Sequence, residues 1–202
     1  MDIIEQEPVM QQMKTYQELR EEYATHVFIP YQHLLYTREW QAKRQEIIDR
    51  DTSRCSVCSK GATDSYYNPK TNETIHFWLG NEAFETRKGP AYGEESYLEF
   101  FIPVGASKQY TLHVHHKFYI LGKLPWEYSN DSLITLCNWC HWKYHVENDV
   151  EVFKEASGTL ELLNIKPCSR CNGAGGFPEY SHIENGICFK CRGTRFENLT
   201  SL

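Results

Sequence analysis

The sequence predicts an α+β chain: a strand–loop–strand–helix core with N-terminal helices, a β-rich insertion and a small cysteine-rich C-terminal module. Three observations predict it. Residues 110–116 (YTLHVHH) and 132–136 (SLITL) read as an antiparallel pair of strands, and a helical stretch follows directly. All eight cysteines fall in C-x2-C pairs: Cys55/Cys58, Cys137/Cys140, Cys168/Cys171 and Cys188/Cys191. Five of the nine histidines, His113, His115, His116, His141 and His145, crowd between residues 113 and 145.

Residues 1–36 read as a helical segment. Met13, Tyr16, Leu19 and Tyr23 recur at helical spacing over 9–24, behind Pro8 as a first-turn proline. Pro30 interrupts before a second helix at 38–50, which gathers Trp40, Ile47 and Ile48 on one side. Its Arg38, Lys43, Arg44 and Arg50 read as a solvated face. Turn signals at Asn68-Pro69, Thr71-Asn72, Gly80-Asn81 and Gly89-Pro90 punctuate an insertion over about 61–108. Within it IHFWL (75–79) and YLEFFIPV (97–104) read as strands. The core helix is expected over 138–156, closing a domain that spans 37–157, and 165–196 forms a Gly- and Cys-rich module of its own.

At 41% hydrophobic and 24% charged residues the chain is globular in composition rather than disordered. No apolar run approaches the roughly 20 residues of a membrane span. The N-terminal MDIIEQEPVM lacks the basic and apolar regions of a secretory signal, so a soluble cytoplasmic protein is expected. A net charge of −6 weighs against nucleic-acid binding, but the charge is uneven. Residues 1–30 carry six acids against two bases, and 147–161 five against one. Lys108, Lys117 and Lys123, and separately Lys190, Arg192 and Arg195, lie in stretches without an acid.

Cysteines in a cytosolic chain stay reduced, and a C-x2-C turn lets two thiolates grip one tetrahedral metal. Four such pairs imply two structural Zn2+ ions. Cys55 and Cys58 with Cys137 and Cys140 would fasten the core helix to the hairpin; Cys168, Cys171, Cys188 and Cys191 would hold the second ion. Side chains alternate along a strand, so His115 and His116 face opposite ways. His141 and His145, spaced i and i+4, share one helix face. His115, His141 and His145 can therefore converge on one divalent ion that keeps open positions for water and substrate. His113 reads as an ordinary surface or core residue.

The segment LHVHHKFYILGKLPWEYSNDSLITLCNWCHWKYH resembles the ββα-metal motif of HNH endonucleases of the zinc-knuckle kind. In that family a strand ends in Asp-His or His-His, an Asn follows in the loop, and L-C-x2-C-H with a further His completes the motif. REWQAKRQEIIDRDTSRCSVC is similar to the helix and first C-x2-C that precede it. The resemblance covers about 37–147, broken by the insertion. It implies a ββα-metal (HNH) core. In it His115, His141 and His145 hold a catalytic Mg2+, Mn2+, Ni2+ or Zn2+, His116 is the general base, and Asn130 orients that base. Many members have Asp where His115 stands; an all-imidazole site suits the later transition metals better than Mg2+.

The implied activity is nicking of DNA with 5′-phosphate and 3′-hydroxyl products, RNA being the alternative polymer, with phage infection or defence as one setting. Lys117, Lys143, Lys190, Arg192 and Arg195 are the candidate nucleic-acid contacts. The competing expectations are a partner-activated nuclease, and a non-catalytic zinc module that binds nucleic acid or protein. A protein partner or a homodimer is compatible with either, and no membrane is expected. A scaffold alone needs only the cysteines, which favours the enzyme.

In the C-terminal module C-x2-C-N-G-A-G (168–175) and C-x2-C-R-G-T-R (188–195) resemble the C-x2-C-x-G-x-G knuckles of the DnaJ-type zinc domain. Gly173 and Gly193 would let the chain fold back around the metal, and Arg195 stands where the pattern has Gly. The expected role is a metal staple for a segment too small to build its own core, with some contact role besides.

Overall fold

The computed structural model describes residues 13–24, 29–80, 102–177, 180 and 182–197. The expected helix start behind Pro8, the turn at Gly89-Pro90 and most of the 97–104 strand lie outside these residues. The architecture is mixed α and β, with four α-helices and three small sheets among the described residues.

Helix α1 (Tyr16–Glu22) begins where Thr15 makes a capping box. Its hydroxyl accepts from Glu18 N–H, and the Glu18 carboxylate accepts from Thr15 N–H. The one-turn α2 (Tyr31–Leu34) follows Pro30, and α3 (Arg38–Arg50) is capped by the Thr37 hydroxyl. Trp40, Ile47 and Ile48 are buried on the inner face of α3, as their spacing predicts. Of its basic residues Arg38 and Arg50 are exposed, as expected, whereas Lys43 and Arg44 are half-buried. Arg44 donates to the Leu112 carbonyl at 2.7 Å, Arg50 to the carbonyls of Asn130 and Leu133, and Lys43 to the Asn130 side chain. The stems of Arg44 and Arg50 reach across the helix edge to backbone carbonyls, and that of Lys43 to a side-chain amide oxygen.

Strands β1 (Asp64–Asn68), β2 (Glu73–Gly80) and β3 (Ile102–Ala106) form an antiparallel sheet, most of whose described side chains are exposed. The insertion is thus a small sheet. It leaves the rest of the molecule at a neck where Thr63 N–H donates to the Tyr110 carbonyl and Tyr110 N–H to the Thr63 hydroxyl, both at 2.9 Å.

Strands β4 (Leu112–His116) and β6 (Leu133–Cys137) pair antiparallel, with His115 opposite Ile134 and His116 opposite Leu133. Between them run the short β5 (Tyr119–Ile120) and two 3-10 turns. Helix α4 (Asn138–Glu147) follows β6 without a loop.

The expected helix over 138–156 is shorter than predicted. At Asn148 the backbone turns extended, and Val152–Ala156 forms β7, parallel to β5 and antiparallel to β8 (Thr159–Leu163). Two features override helical continuation. Val150, Val152 and Phe153 favour a pleated surface, and Ser157 and Gly158, both at positive φ, make the two-residue hairpin turn.

The core lies where α3 crosses the β4/β6 hairpin. Trp40, Ile47, Ile48, Leu112, Val114, Leu133 and Leu136 pack there with Tyr110, Tyr128, Cys55 and Cys137. Asp51, at the end of α3, accepts from Thr135 N–H at 2.9 Å, locking the helix to β6. No helix among the described residues is long and apolar enough to cross a membrane.

Candidate metal centres

The cysteines gather as two four-sulfur clusters, Cys55/Cys58/Cys137/Cys140 and Cys168/Cys171/Cys188/Cys191, the four Sγ atoms of each lying within 4.8 Å of one another. Cys58 and Cys137 stand 3.7 Å apart, Cys168 and Cys188 3.9 Å, and Cys171 and Cys191 3.7 Å. Four sulfurs about 2.3 Å from one tetrahedral Zn2+ lie about 3.8 Å apart, whereas a disulfide needs about 2.05 Å. Both clusters therefore have the spacing of structural zinc sites.

The first cluster also caps α4, since Cys137 Sγ accepts from Cys140 N–H at 3.4 Å. A thiolate there faces the positive end of the helix. Burial pushes the Cys55 thiol up, but backbone hydrogen bonds from Cys137, Cys58 and Val57 outweigh it and bring it down to about 7. Burial and the neighbouring thiols push Cys140 well up. Several thiolates this close repel one another unless a cation joins them.

In the second module Gly173 and Gly193 both adopt positive φ, at 79° and 82°, as the fold-back around a metal requires. A Cβ on Gly193 would also meet Pro30 at 2.9 Å, and its carbonyl accepts from Tyr31 N–H. The module thus docks directly on the N-terminal segment.

The third constellation is histidine. His115 on β4 and His141 and His145 on α4 turn inward together: His115 Nδ1 lies 3.2 Å from His141 Nε2, which lies 3.2 Å from His145 Nε2. Nitrogens bound at 2.0–2.1 Å in tetrahedral directions lie about 3.3–3.4 Å apart, so the donor set fits one divalent ion. Burial, then the His145 and His113 rings, push His141 down to about 3. Burial, then the neighbouring imidazoles, push His115 lower still, and burial with the Arg195 charge lowers His145. The three rings are neutral at physiological pH, which leaves lone pairs for a metal. His115 Nε2 is buried without a protein partner, so packing against Tyr144, 4.6 Å between ring centroids, holds that ring.

His113, read from the sequence as an ordinary residue, belongs to this group. Its Nδ1 lies 3.3 Å from His141 Nδ1, and its Nε2 3.1 Å from the Thr111 hydroxyl. When His141 Nε2 faces a metal its proton sits on Nδ1 and points at His113, an arrangement that fixes ring and tautomer. The signal was present in the sequence: His113 is two residues from His115 on one strand and shares its face.

His116 faces the other way. It is 2% exposed, stacked on Trp40 at 5.1 Å, and its Nε2 donates to the Pro125 carbonyl at 2.9 Å. Nδ1 is left as the acceptor, with the Tyr31 hydroxyl 3.4 Å away. Burial pushes its pKa down and the Pro125 carbonyl pulls it up, while Arg195 adds a smaller lowering; it rests at about 4.

Asn130 does not hydrogen-bond His116. Its carbonyl oxygen accepts from Lys43, its amide donates to Glu46 at 2.6 Å, and its backbone carbonyl accepts from Arg50. The orienting group is Pro125, and Asn130 pins the loop to α3.

The candidate nucleic-acid contacts divide. Lys117 donates to the Asp131 carbonyl, Lys143 lies 3.7 Å from Glu147, and Lys190 is held by Glu197 at 2.6 Å. Arg192 is exposed, whereas Arg195 is 5% exposed, with its guanidinium over the Tyr119 and Tyr31 rings. Comparison of the chain with protein-family models, with curated proteins and with solved structures gives no match. The chemistry of the centre has to be read from its own geometry.

Proposed function

We propose that the protein is a divalent-metal-dependent nuclease of the HNH kind that hydrolyses phosphodiester bonds in DNA, nicking one strand and leaving 5′-phosphate and 3′-hydroxyl ends. The observation that carries this reading is the convergence of His115, His141 and His145 beside His116. Three imidazole nitrogens stand at ligand spacing, and the next residue is a neutral imidazole held by a backbone carbonyl.

A divalent ion in the triad would supply Lewis-acid stabilisation of charge that grows on the phosphoryl and leaving oxygens. The chain's own residues do the rest. Pro125 receives the Nε2 proton of His116 and so presents Nδ1 as the basic atom. His116 Nδ1 takes the proton of the attacking water as general base once the Tyr31 hydroxyl, 3.4 Å from it, yields its place to that water. At about 4 it is a weak acceptor in the free protein, but a bound phosphodiester places negative charge nearby and raises it toward the working range. Asn130, through Lys43 and Glu46, keeps the loop that carries Pro125 in place. His113 orients His141.

The test is supercoiled plasmid incubated with Mg2+, Mn2+ or Ni2+ and either wild-type or His116→Ala protein. The expected result is metal-dependent nicking, reduced by about 10²–10⁴-fold in the variant. Equal cutting by both proteins would remove His116 from the role. No cutting of DNA or RNA by a metal-loaded wild type would leave a zinc-bearing binding module.

A further inference from the structure

The two knuckles of the C-terminal module share both cysteines and the first glycine of the C-x2-C-x-G-x-G pattern and part at its last glycine. Gly175 closes the first at φ 82°, and Arg195 closes the second at φ 77°. That backbone region suits glycine, so an arginine there is kept against the preference of its own main chain. Its side chain then runs inward. The guanidinium carbon sits 3.4 Å from the Tyr119 ring centroid and 4.0 Å from that of Tyr31, and Nε donates to the Gly173 carbonyl at 2.9 Å. The first knuckle makes room for it, since a Cβ on Gly175 would meet Arg195 Cγ at 2.9 Å.

Among the described residues this buried charge has no counterion. Arg195 is 5% exposed, and among the described residues no carboxylate reaches ion-pair distance of it. A buried cation in that condition is ordinarily paired. It borders a cleft of about 40 Å³ whose walls include His145 of the triad, Tyr119 and Asn172. The cleft has room for roughly three waters, which matches a tetrahedral oxyanion and not a base or a sugar. Asp149 also lines it, exposed and without an ion pair to Arg195.

We infer that Arg195 and this cleft form an anion site for one phosphate group of the nucleic-acid backbone, seated beside the metal triad and delivered by the C-terminal zinc module. The inference rests on the nuclease reading for its substrate. A planar guanidinium suits two phosphate oxygens, and the Tyr119 and Tyr31 rings, 84° apart, hold it from two sides. The second zinc cluster thereby becomes part of the working site, because it fixes the backbone from which Arg195 projects.

Inorganic phosphate is the probe, titrated into His141→Ala protein so that no triad metal competes, with binding followed by phosphorus NMR at constant ionic strength. Binding is expected, and Arg195→Gly in that background should weaken it at least tenfold. Glycine suits φ 77°, so zinc content and melting temperature should hold. In the otherwise wild-type chain Arg195→Gly should lower plasmid nicking on the order of 10²-fold. Unchanged phosphate binding and unchanged nicking would overturn the inference and leave the nuclease reading standing. Loss of zinc from the second cluster would overturn it too, since Arg195 would then be structural. Arginine-dependent phosphate binding in a protein that cuts no nucleic acid would keep the anion site and sink the nuclease.

Discussion

The two cysteine clusters share ligands and geometry but not surroundings. The first is embedded in the main core, where Cys55 and Cys137 pack with Ile47, Leu133, Leu136 and Trp40. The second is its own core: the buried cluster there is the four cysteines, with Phe177 packed against them. Zinc at the first site would fasten a hairpin that hydrophobic burial already supports. At the second it would supply the driving force of folding itself, because about 30 residues cannot bury enough apolar area to offset their chain entropy. One coordination chemistry thus serves as a rivet in one place and as a keystone in the other.

The largest effect should come from breaking the keystone. Structural zinc contributes on the order of 10 kcal/mol to modules of this size. Cys188→Ser should therefore abolish amide-exchange protection throughout 168–196 while the β4/β6 hairpin keeps most of its own. Cys58→Ser should do less, leaving the hairpin protected. If both variants lost the same amount, the contrast between the clusters would be gone.

Acid should sharpen the same contrast from the other side, because the buried imidazoles lie beside the first cluster. In the unfolded chain His116 titrates near 6.5 and in the folded one at about 4. Between these values the unfolded chain binds more protons, so stability rises with pH. It is complete above about 6.5 and is lost as pH falls toward 4. For His116 alone the loss amounts to about 3 kcal/mol. Urea denaturation without added divalent metal, read from tryptophan fluorescence between pH 7 and 4.5, should show it. His116→Gln should make the slope shallower, the remainder coming from His113, His115, His141 and His145, which burial also lowers.

The smallest effect concerns His113. As an orienting partner of His141 its replacement by Ala should weaken divalent-metal binding at the triad by about 10–100-fold, with both zinc clusters intact. Isothermal titration with Mn2+ would measure it, and an unchanged affinity would return His113 to a mere surface role.

Much of this arrangement was legible before any coordinates. C-x2-C spacing is a local property, and so is the i, i+4 relation of His141 and His145; both survive into three dimensions because one turn positions both partners. Alternation along 112–116 likewise separated His115 from His116. What was not legible depends on partners far away in the chain. Asn130 meets Lys43 and Glu46 across more than 80 residues, so its role could not be read from its place in the loop. The basic residues of α3 looked solvated because nothing nearby shows that carbonyls of β4 and β6 await them. Strand β7 was hidden because 148–156 has the polar and acidic composition of a helix end, and its pairing with β5 is a tertiary choice. Arg195 announced itself as a departure from a glycine pattern and as one of the basic candidate contacts, and neither signal placed its side chain inside.

The neck at Thr63 and Tyr110 has a consequence for how this chain can change over time. Those two residues bond each other directly, so the excursion between them leaves and rejoins the molecule at one point. Loop-closure entropy grows slowly, about 0.6 kcal/mol for each doubling of length. Trp78 packs on the core, and Lys108 and Gln109 both meet Trp139 of α4, so changes at those residues reach the histidines by contacts besides the junction. Length change in the excursion is therefore cheap, while Trp78, Lys108 and Gln109 tie its composition to the core and to the helix that carries the histidines.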